Sequence, residues 1–376
     1  MEKKTDTIVI GGGIIGLLTA RELVMSGQSV TILERNPGAG LESSWAGGGI
    51  LSPLYPWRYP EAVTDLSVIG HNEYPELAAD LFQATGIDPE FIRSGHLVLD
   101  TEEYEQARLW AMEFSKKILL DSKVKFLSRI GREEIALIEP ELSENFLNAM
   151  WLPLIGQVRN PRLVKALIKD LILKGVKIKT RTSVERINSR AGKVISVETS
   201  DGKWSADNYL VTAGAWSASL LKETGMSLDV EPVRGQMILF KTDPERLRRI
   251  IMNNGKYLIP RRDGHILAGS TLEYVGFNKE TTDSAYQELW QAAVNMVPFL
   301  KTTPVVKHWA GLRPGSTNAV PTIDRHPELE NLVICSGHFR NGVILGLGSA
   351  QLAAKLVTNG DLLLSNKITA SSYSAL

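Results

Sequence analysis

Hydrophobic and polar positions alternate between two periods along this chain. Residues 7–10 (TIVI) form a short apolar run of the kind expected for a strand buried on both faces. GGGIIG follows at once. Residues 14–26 then place Ile14, Leu17, Leu18, Leu23 and Val24 on helical spacing, with Gly27 where a helix would end. A second apolar run, SVTIL at 29–33, stops at Glu34, so the opening predicts one complete βαβ unit. Residues 161–174 predict a strongly amphipathic helix with Pro161 at its start and Gly175 past its end. Strands are predicted at 176–180, 193–200 and, beyond the Asp-Gly turn at 201–202, again before 209–216 (YLVTAGAW), itself read as strand and glycine turn. Segments 237–241 and 266–270 predict a second, more antiparallel sheet, with the RRDGH turn (261–265) between hairpin strands. The stretch LVICSGHFRNGVILGLGSAQLAAKLVTNG predicts strand, glycine-rich loop and long helix.

The nucleotide-binding pattern thus recurs at the start, middle and end of the chain. This predicts an α/β fold: a Rossmann-like dinucleotide-binding domain with a parallel sheet, assembled from 1–84, 151–220 and 316–376. Residues 85–150 and 221–315 would form a substrate-binding α+β domain with a mainly antiparallel sheet. A length of 376 residues suits about two cores, and the 43% apolar and 22% charged fractions are ordinary for a globular protein. Lys plus Arg (42) equals Asp plus Glu (42), which argues against a nucleic-acid partner. Cys335 is the sole cysteine and sits in an apolar run, predicting a buried inert thiol and fitting a reducing cytoplasm. The six histidines lack metal-ligand spacing, so no metal site is expected. No signal-peptide cleavage site or membrane span is expected either.

Gly11, Gly13 and Gly16 match G-x-G-x-x-G between strand and helix. The first glycine serves the turn, the second lets a pyrophosphate approach, and the third serves helix–strand packing. The pyrophosphate would rest on the helix N-terminus at Ile14 and Ile15. Glu34, eighteen residues after Gly16, can accept ribose hydroxyls, which favours FAD or NAD over NADP.

Other segments make the choice. They are SSWAGGGILSPLYPWRY (43–59), RNPRLVK (159–165), AGAWS (213–217), PVRGQMILF (232–240), YLIPRRDGHILAGSTLE (257–273), WAGLRPG (309–315) and GHFRNGV (337–343). In this order they resemble the D-amino-acid-oxidase superfamily of flavoproteins and, more narrowly, the bacterial glycine oxidases of thiamine biosynthesis. The resemblance runs from about residue 5 to about 365.

The resemblance implies noncovalent FAD, and oxidation of glycine, sarcosine or D-alanine by hydride transfer to flavin N5. Oxygen would be the acceptor, and 2-oxo acid, ammonia and hydrogen peroxide the products. Arg313 would grip the substrate carboxylate, a task that suits a planar guanidinium. Tyr257, Arg340 and Leu272 would complete the substrate site. Glu34, Arg35, Ser43, Ser44, Ala46, Gly47, Gly48, Gly49, Val184, Ala213, Gly214 and Trp216 would wrap the cofactor. Gly337, His338, Arg340, Asn341, Gly342 and Val343 would cover its flavin end. The resemblance also implies a homo-oligomer, a homotetramer. Asp324 and Leu347 depart from it, since relatives tend to have glycine and proline there. Two alternatives stay open at this point: another amino acid oxidase or dehydrogenase of the same superfamily, or a flavin-binding subunit without turnover.

Overall fold

The computed structural model describes residues 5–118, 124–317 and 319–358. The remainder of the expected segments, residues 1–4 and 359–376 among them, lies outside the described residues. The chain opens with β1 (Thr5–Ile10), α1 (Ile14–Met25) and β2 (Val30–Leu33). A short α2 (Ser43–Ala46) and the long α3 (Glu61–Thr85) lead to β3 (His96–Val98), α4 (Tyr104–Lys117), β4 (Ser128–Gly131), α5 (Arg132–Ile138) and β5 (Asn148–Leu152). Next come α6 (Asn160–Leu173), β6 (Lys177–Lys179), β7 (Val184–Arg190), β8 (Lys193–Thr199), β9 (Gly202–Trp204), β10 (Ala206–Val211) and α7 (Ser217–Leu221). The last part holds β11 (Glu231–Lys241), β12 (Ile250–Asn253), β13 (Lys256–Pro260), β14 (His265–Gly269), α8 (Asp283–Met296), β15 (Val305–Gly315), β16 (Thr322–Arg325), β17 (Leu332–Ser336) and α9 (Gly346–Thr358).

Three sheets result. The first runs β16-β17-β10-β1-β2-β6 and is parallel except for the β16–β17 pair. Its central strands are buried on both faces between α1, α6 and α9 on one side and the small β7-β8-β9 sheet on the other. The eight-stranded second sheet runs β15-β11-β14-β13-β12-β3-β5-β4 and is antiparallel apart from β12–β3. It takes strands from 96–152 and from 231–315, and β5 crosses position 151.

Local expectations hold closely for α1 and α6, whose apolar stripes face the first core. The strand followed by a glycine turn expected over 209–216 is found, the strand ending at Val211. Thr212 turns its hydroxyl onto the Gly11 carbonyl (2.9 Å), and Gly214 at φ +55° starts a 3-10 turn through Trp216. The strand expected at 237–241 is the end of an eleven-residue strand, β11. Helix α3, with Pro75 inside it, packs its Gly70 so tightly that a Cβ there would lie 2.1 Å from the Ile344 carbonyl oxygen. Leu347 is buried in the first turn of α9, and Asp324 lies in the edge strand β16. Cys335 is buried, and burial pushes its thiol pKa up, as an inert thiol requires. Among the described residues no helix is long and apolar enough to cross a membrane, and no cluster of side chains could hold a metal.

Arg261, at the turn between β13 and β14, joins the sheets. Its buried guanidinium donates to Gln157 Oε1 (2.7 Å), the Val158 carbonyl (3.0 Å) and the Gly48 carbonyl (2.6 Å). Orphaning a buried acceptor costs about 1–3 kcal/mol. Arg261→Met should therefore lower the unfolding free energy by roughly 3 kcal/mol or more, measured by denaturant titration.

His71, His96 and His338 are buried, and burial pushes their pKa values down to about 4, about 3 and about 3. The unfolded chain takes up these protons below about pH 6.5 while the folded chain refuses them. Their contribution is therefore complete above pH 6.5 and falls as pH drops, by up to about 1.4 kcal/mol per unit for each histidine. Melting temperature should decline between pH 6.5 and 4, and His96→Leu should flatten that decline.

Candidate functional site

One cavity of ≈400 Å³ runs from the tip of the first sheet to the face of the second. At its first end the glycine loop is fixed by backbone packing. A Cβ on Gly11 (φ +108°) would lie 2.6 Å from the Thr212 carbonyl oxygen, and one on Gly16 would lie 2.1 Å from the Gly11 carbonyl oxygen. Gly13 meets only Ser44 Oγ at 3.2 Å and stands at the start of α1. Ser44 Oγ accepts from the Ile14 amide (2.8 Å). Glu34 accepts from the Gly12 and Asn36 amides, both at 2.8 Å, one on each carboxylate oxygen. Each oxygen keeps lone pairs for a further donor.

Arg35 lies flat on Trp216, 3.4 Å from the ring centroid, and pairs with Glu42 (2.8 Å). Trp216 stacks in turn on Phe277. Val184, Ala213 and Gly214 complete this end of the wall.

At the far end Ser43, Ala46, Gly47, Gly48 and Gly49 bring the backbone up against the second sheet. A Cβ on Gly48 would meet Ile259 at 2.7 Å and the Tyr257 ring at 3.2 Å. Arg313, on β15, faces the same space. It donates to Ser270 Oγ (2.7 Å), the Thr271 carbonyl (3.1 Å) and the Arg234 carbonyl (3.4 Å). Among the described residues it has no carboxylate partner. Glu273 is taken by Arg234, Gln236 and Thr271. Burial lowers the Arg313 pKa to about 10; Tyr257 beside it opposes that shift and the Arg340 charge adds to it. At neutral pH Arg313 remains a cation held by neutral groups, the arrangement that a carboxylate ligand completes.

The GHFRNG loop closes the site. The Phe339 amide donates to the Pro314 carbonyl (2.9 Å), tying Arg340 to the strand of Arg313. Tyr74 of α3 donates to the Val343 carbonyl (2.7 Å). His338 is buried against Ser349 Oγ (2.9 Å) and stays neutral. Arg340, Asn341, Gly342 and Val343 line the cavity.

Three of the expected residues stand off the wall. Gly16 packs behind the loop, Gly337 (φ +87°) forms the turn that Ser316 caps, and Leu272 is 45% exposed beyond Thr271. Sequence reasoning missed Gly235, Ser270, Arg261 and Asn160. Only Gly235 carried a signal, a glycine inside a strand. A Cβ there would lie 2.0 Å from an Arg313 guanidinium nitrogen, so that strand position leaves room for the guanidinium.

The cavity also fits an extended dinucleotide chemically. It offers a helix start at one end, a carboxylate with spare lone pairs beside it, and the buried amides of Asn160 and Asn341 with unpartnered atoms on the wall.

These features suit a dinucleotide-dependent enzyme. The chain belongs to the FAD dependent oxidoreductase (DAO) family, whose pattern matches residues 6–356. It is 42% identical over 357 residues to the glycine oxidase of Pseudomonas putida, covering 95% of each chain. It is 31% identical to the bifunctional protein ThiO/ThiG of Synechocystis sp., covering 98% of this chain and 53% of that one. The crystal structure of glycine oxidase from Geobacillus kaustophilus superposes with a TM-score of 0.87 at 27% identity, covering 96% of each chain.

Gly235→Ala should push the Arg313 guanidinium aside. Binding of a small carboxylate, followed by perturbation of the flavin absorbance, should weaken about 10-fold or more, about 1.4 kcal/mol, with FAD retained.

Proposed function

We propose that this protein is an FAD-dependent glycine oxidase acting on small amino acids, with a role in making the thiazole of thiamine. The observation that carries this reading is Arg313, a part-buried cation that among the described residues has no carboxylate partner and stands beside Tyr257 on the glycine-lined wall. The 42% identity to a glycine oxidase over nearly the whole chain supports the substrate, and the ThiO/ThiG relative supports the pathway. Glycine, O2 and water would give glyoxylate, ammonia and hydrogen peroxide. FAD, when bound, supplies the two-electron acceptor between the substrate Cα–H and O2.

In this reading the chain's own part is binding and orientation. Arg313 takes the substrate carboxylate, and the Tyr257 hydroxyl stands beside it. Arg340, tethered through Phe339, adds a second positive charge at the mouth. Clamping the carboxylate turns the Cα–H toward the glycine-lined wall, where Ser43 to Gly49 and His338 to Val343 would hold the flavin end. Glu34, Gly13 and Val184 would hold the adenosine end. No side-chain base is assigned, because His338 is neutral and spent on Ser349. The substrate enters as its neutral amine, so rate should rise with pH until the amine is deprotonated.

We further propose that the first sheet and its helices carry FAD, noncovalently, and the eight-stranded sheet carries the substrate. A cytoplasmic homo-oligomer, a homotetramer, completes the proposal. Lone Cys335 supports the compartment, and the family resemblance the assembly.

Peroxide release should be robust with glycine and sarcosine, weak with D-alanine and negligible with D-phenylalanine and L-alanine. Arg313→Leu should keep FAD and raise KM by an amount equivalent to about 2–5 kcal/mol. Flavin bleaching without peroxide on readmission of oxygen would point to a dehydrogenase. Preference for D-phenylalanine would overturn the glycine assignment.

A further inference from the structure

Asn160 stands at the start of α6 and is 1% exposed. Neither its Nδ2 nor its Oδ1 has a hydrogen-bond partner among the described residues. A buried polar atom without a partner costs about 1–3 kcal/mol, so an orphaned carboxamide calls for an explanation.

The ordinary explanation for asparagine at a helix start is capping. It fails here: Arg159 occupies the cap position and no side chain caps this helix. The backbone amides of Arg162 and Leu163 go to the Arg159 carbonyl (2.9 Å each). Neighbouring polar groups are also spent. Arg261 uses Gln157, Val158 and Gly48, and the Val158 amide goes to the Gly49 carbonyl (2.9 Å).

What Asn160 does face is the cavity. It lines the wall between Gly47 and Gly49. A Cβ on Gly47 would lie 2.9 Å from Nδ2, and one on Gly49 would lie 2.4 Å from Oδ1. Glycine at both positions leaves the carboxamide room and gives it no partner. Most other orphaned buried atoms, such as His96 Nε2, Trp110 Nε1 and Glu139 Oε1, belong to residues off this wall; Asn341 Nδ2 alone shares it with Asn160. The position along the cavity matters as well. A Cβ on Gly48, within the same triplet, would meet the Tyr257 ring, whereas Glu34 and Arg35 mark the opposite end.

We propose that Asn160 is a positioning residue for the flavin-bearing half of FAD, taking from the cofactor the hydrogen bonds that the protein withholds. This rests on the reading that the cavity holds FAD, so FAD binding by the unaltered chain is the control.

The test uses the full chain stripped of FAD, with FAD and ADP titrated separately by calorimetry. Asn160→Leu, close in size and apolar, should weaken FAD binding about 10-fold or more while ADP binding stays within about 2-fold. The melting temperature of the FAD-free variant should stay level or rise, because an orphaned amide has been removed. Unchanged FAD affinity would overturn the proposal. So would an equal loss of FAD and ADP affinity with a lower melting temperature, which marks a structural role. Should the leucine variant not fold, Asn160→Asp keeps the acceptor oxygen and loses the amide donor. It should weaken FAD and spare ADP, and wild-type FAD affinity would overturn the proposal. Failure of the unaltered chain to bind FAD would instead overturn the underlying assignment.

Discussion

The buried guanidinium of Arg261 is the constraint on which the site depends. It leaves a hairpin of the eight-stranded sheet and ends on three acceptors from two other segments, the Gly47–Gly49 loop and the strand-like stretch 157–158. None of these acceptors is a carboxylate. The charge is therefore stabilised by aligned carbonyl dipoles and at longer range by Glu90 and Asp263, and burial still lowers its pKa to about 10. A charged donor in a low-dielectric setting makes strong, directional bonds. The loop that would touch the cofactor is thus fixed by the sheet that would hold the substrate, and the two halves keep a common frame.

Steric absence does as much as any bond. Gly235 lets the Arg313 guanidinium lie on β11, Gly48 lets the loop lie on Tyr257, and Gly16 lets α1 close on its own turn. Each removes a methyl that would force atoms apart by more than a dense interior tolerates. The last loop uses a hydrogen bond for the same end, Phe339 amide to Pro314 carbonyl, with Phe339 at φ +46°.

The electrostatics separate satisfied from unsatisfied charge. Arg234 is buried and saturated by Glu273, Asn278 and the Glu280 carbonyl. Arg313, on the neighbouring strand β15, hydrogen-bonds only neutral groups among the described residues. Arg234 is committed to an ion pair, and among the described residues Arg313 is not.

The chain's sequence by itself determined the βαβ opening, the ends of α1 and α6, the glycine fingerprint and the β13–β14 hairpin, because each depends on residues within about one turn or strand of one another. It also carried the motifs by which Arg313 and Tyr257 could be singled out. Tertiary structure alone decided that Gly235 clears the guanidinium, that Arg261 reaches Gly48, that Asn160 has no partner among the described residues and that Leu272 stands exposed. Those facts join residues 78 to 213 positions apart. No local periodicity encodes such separations; they exist only once the sheets have packed and each buried polar atom has found, or failed to find, its partner.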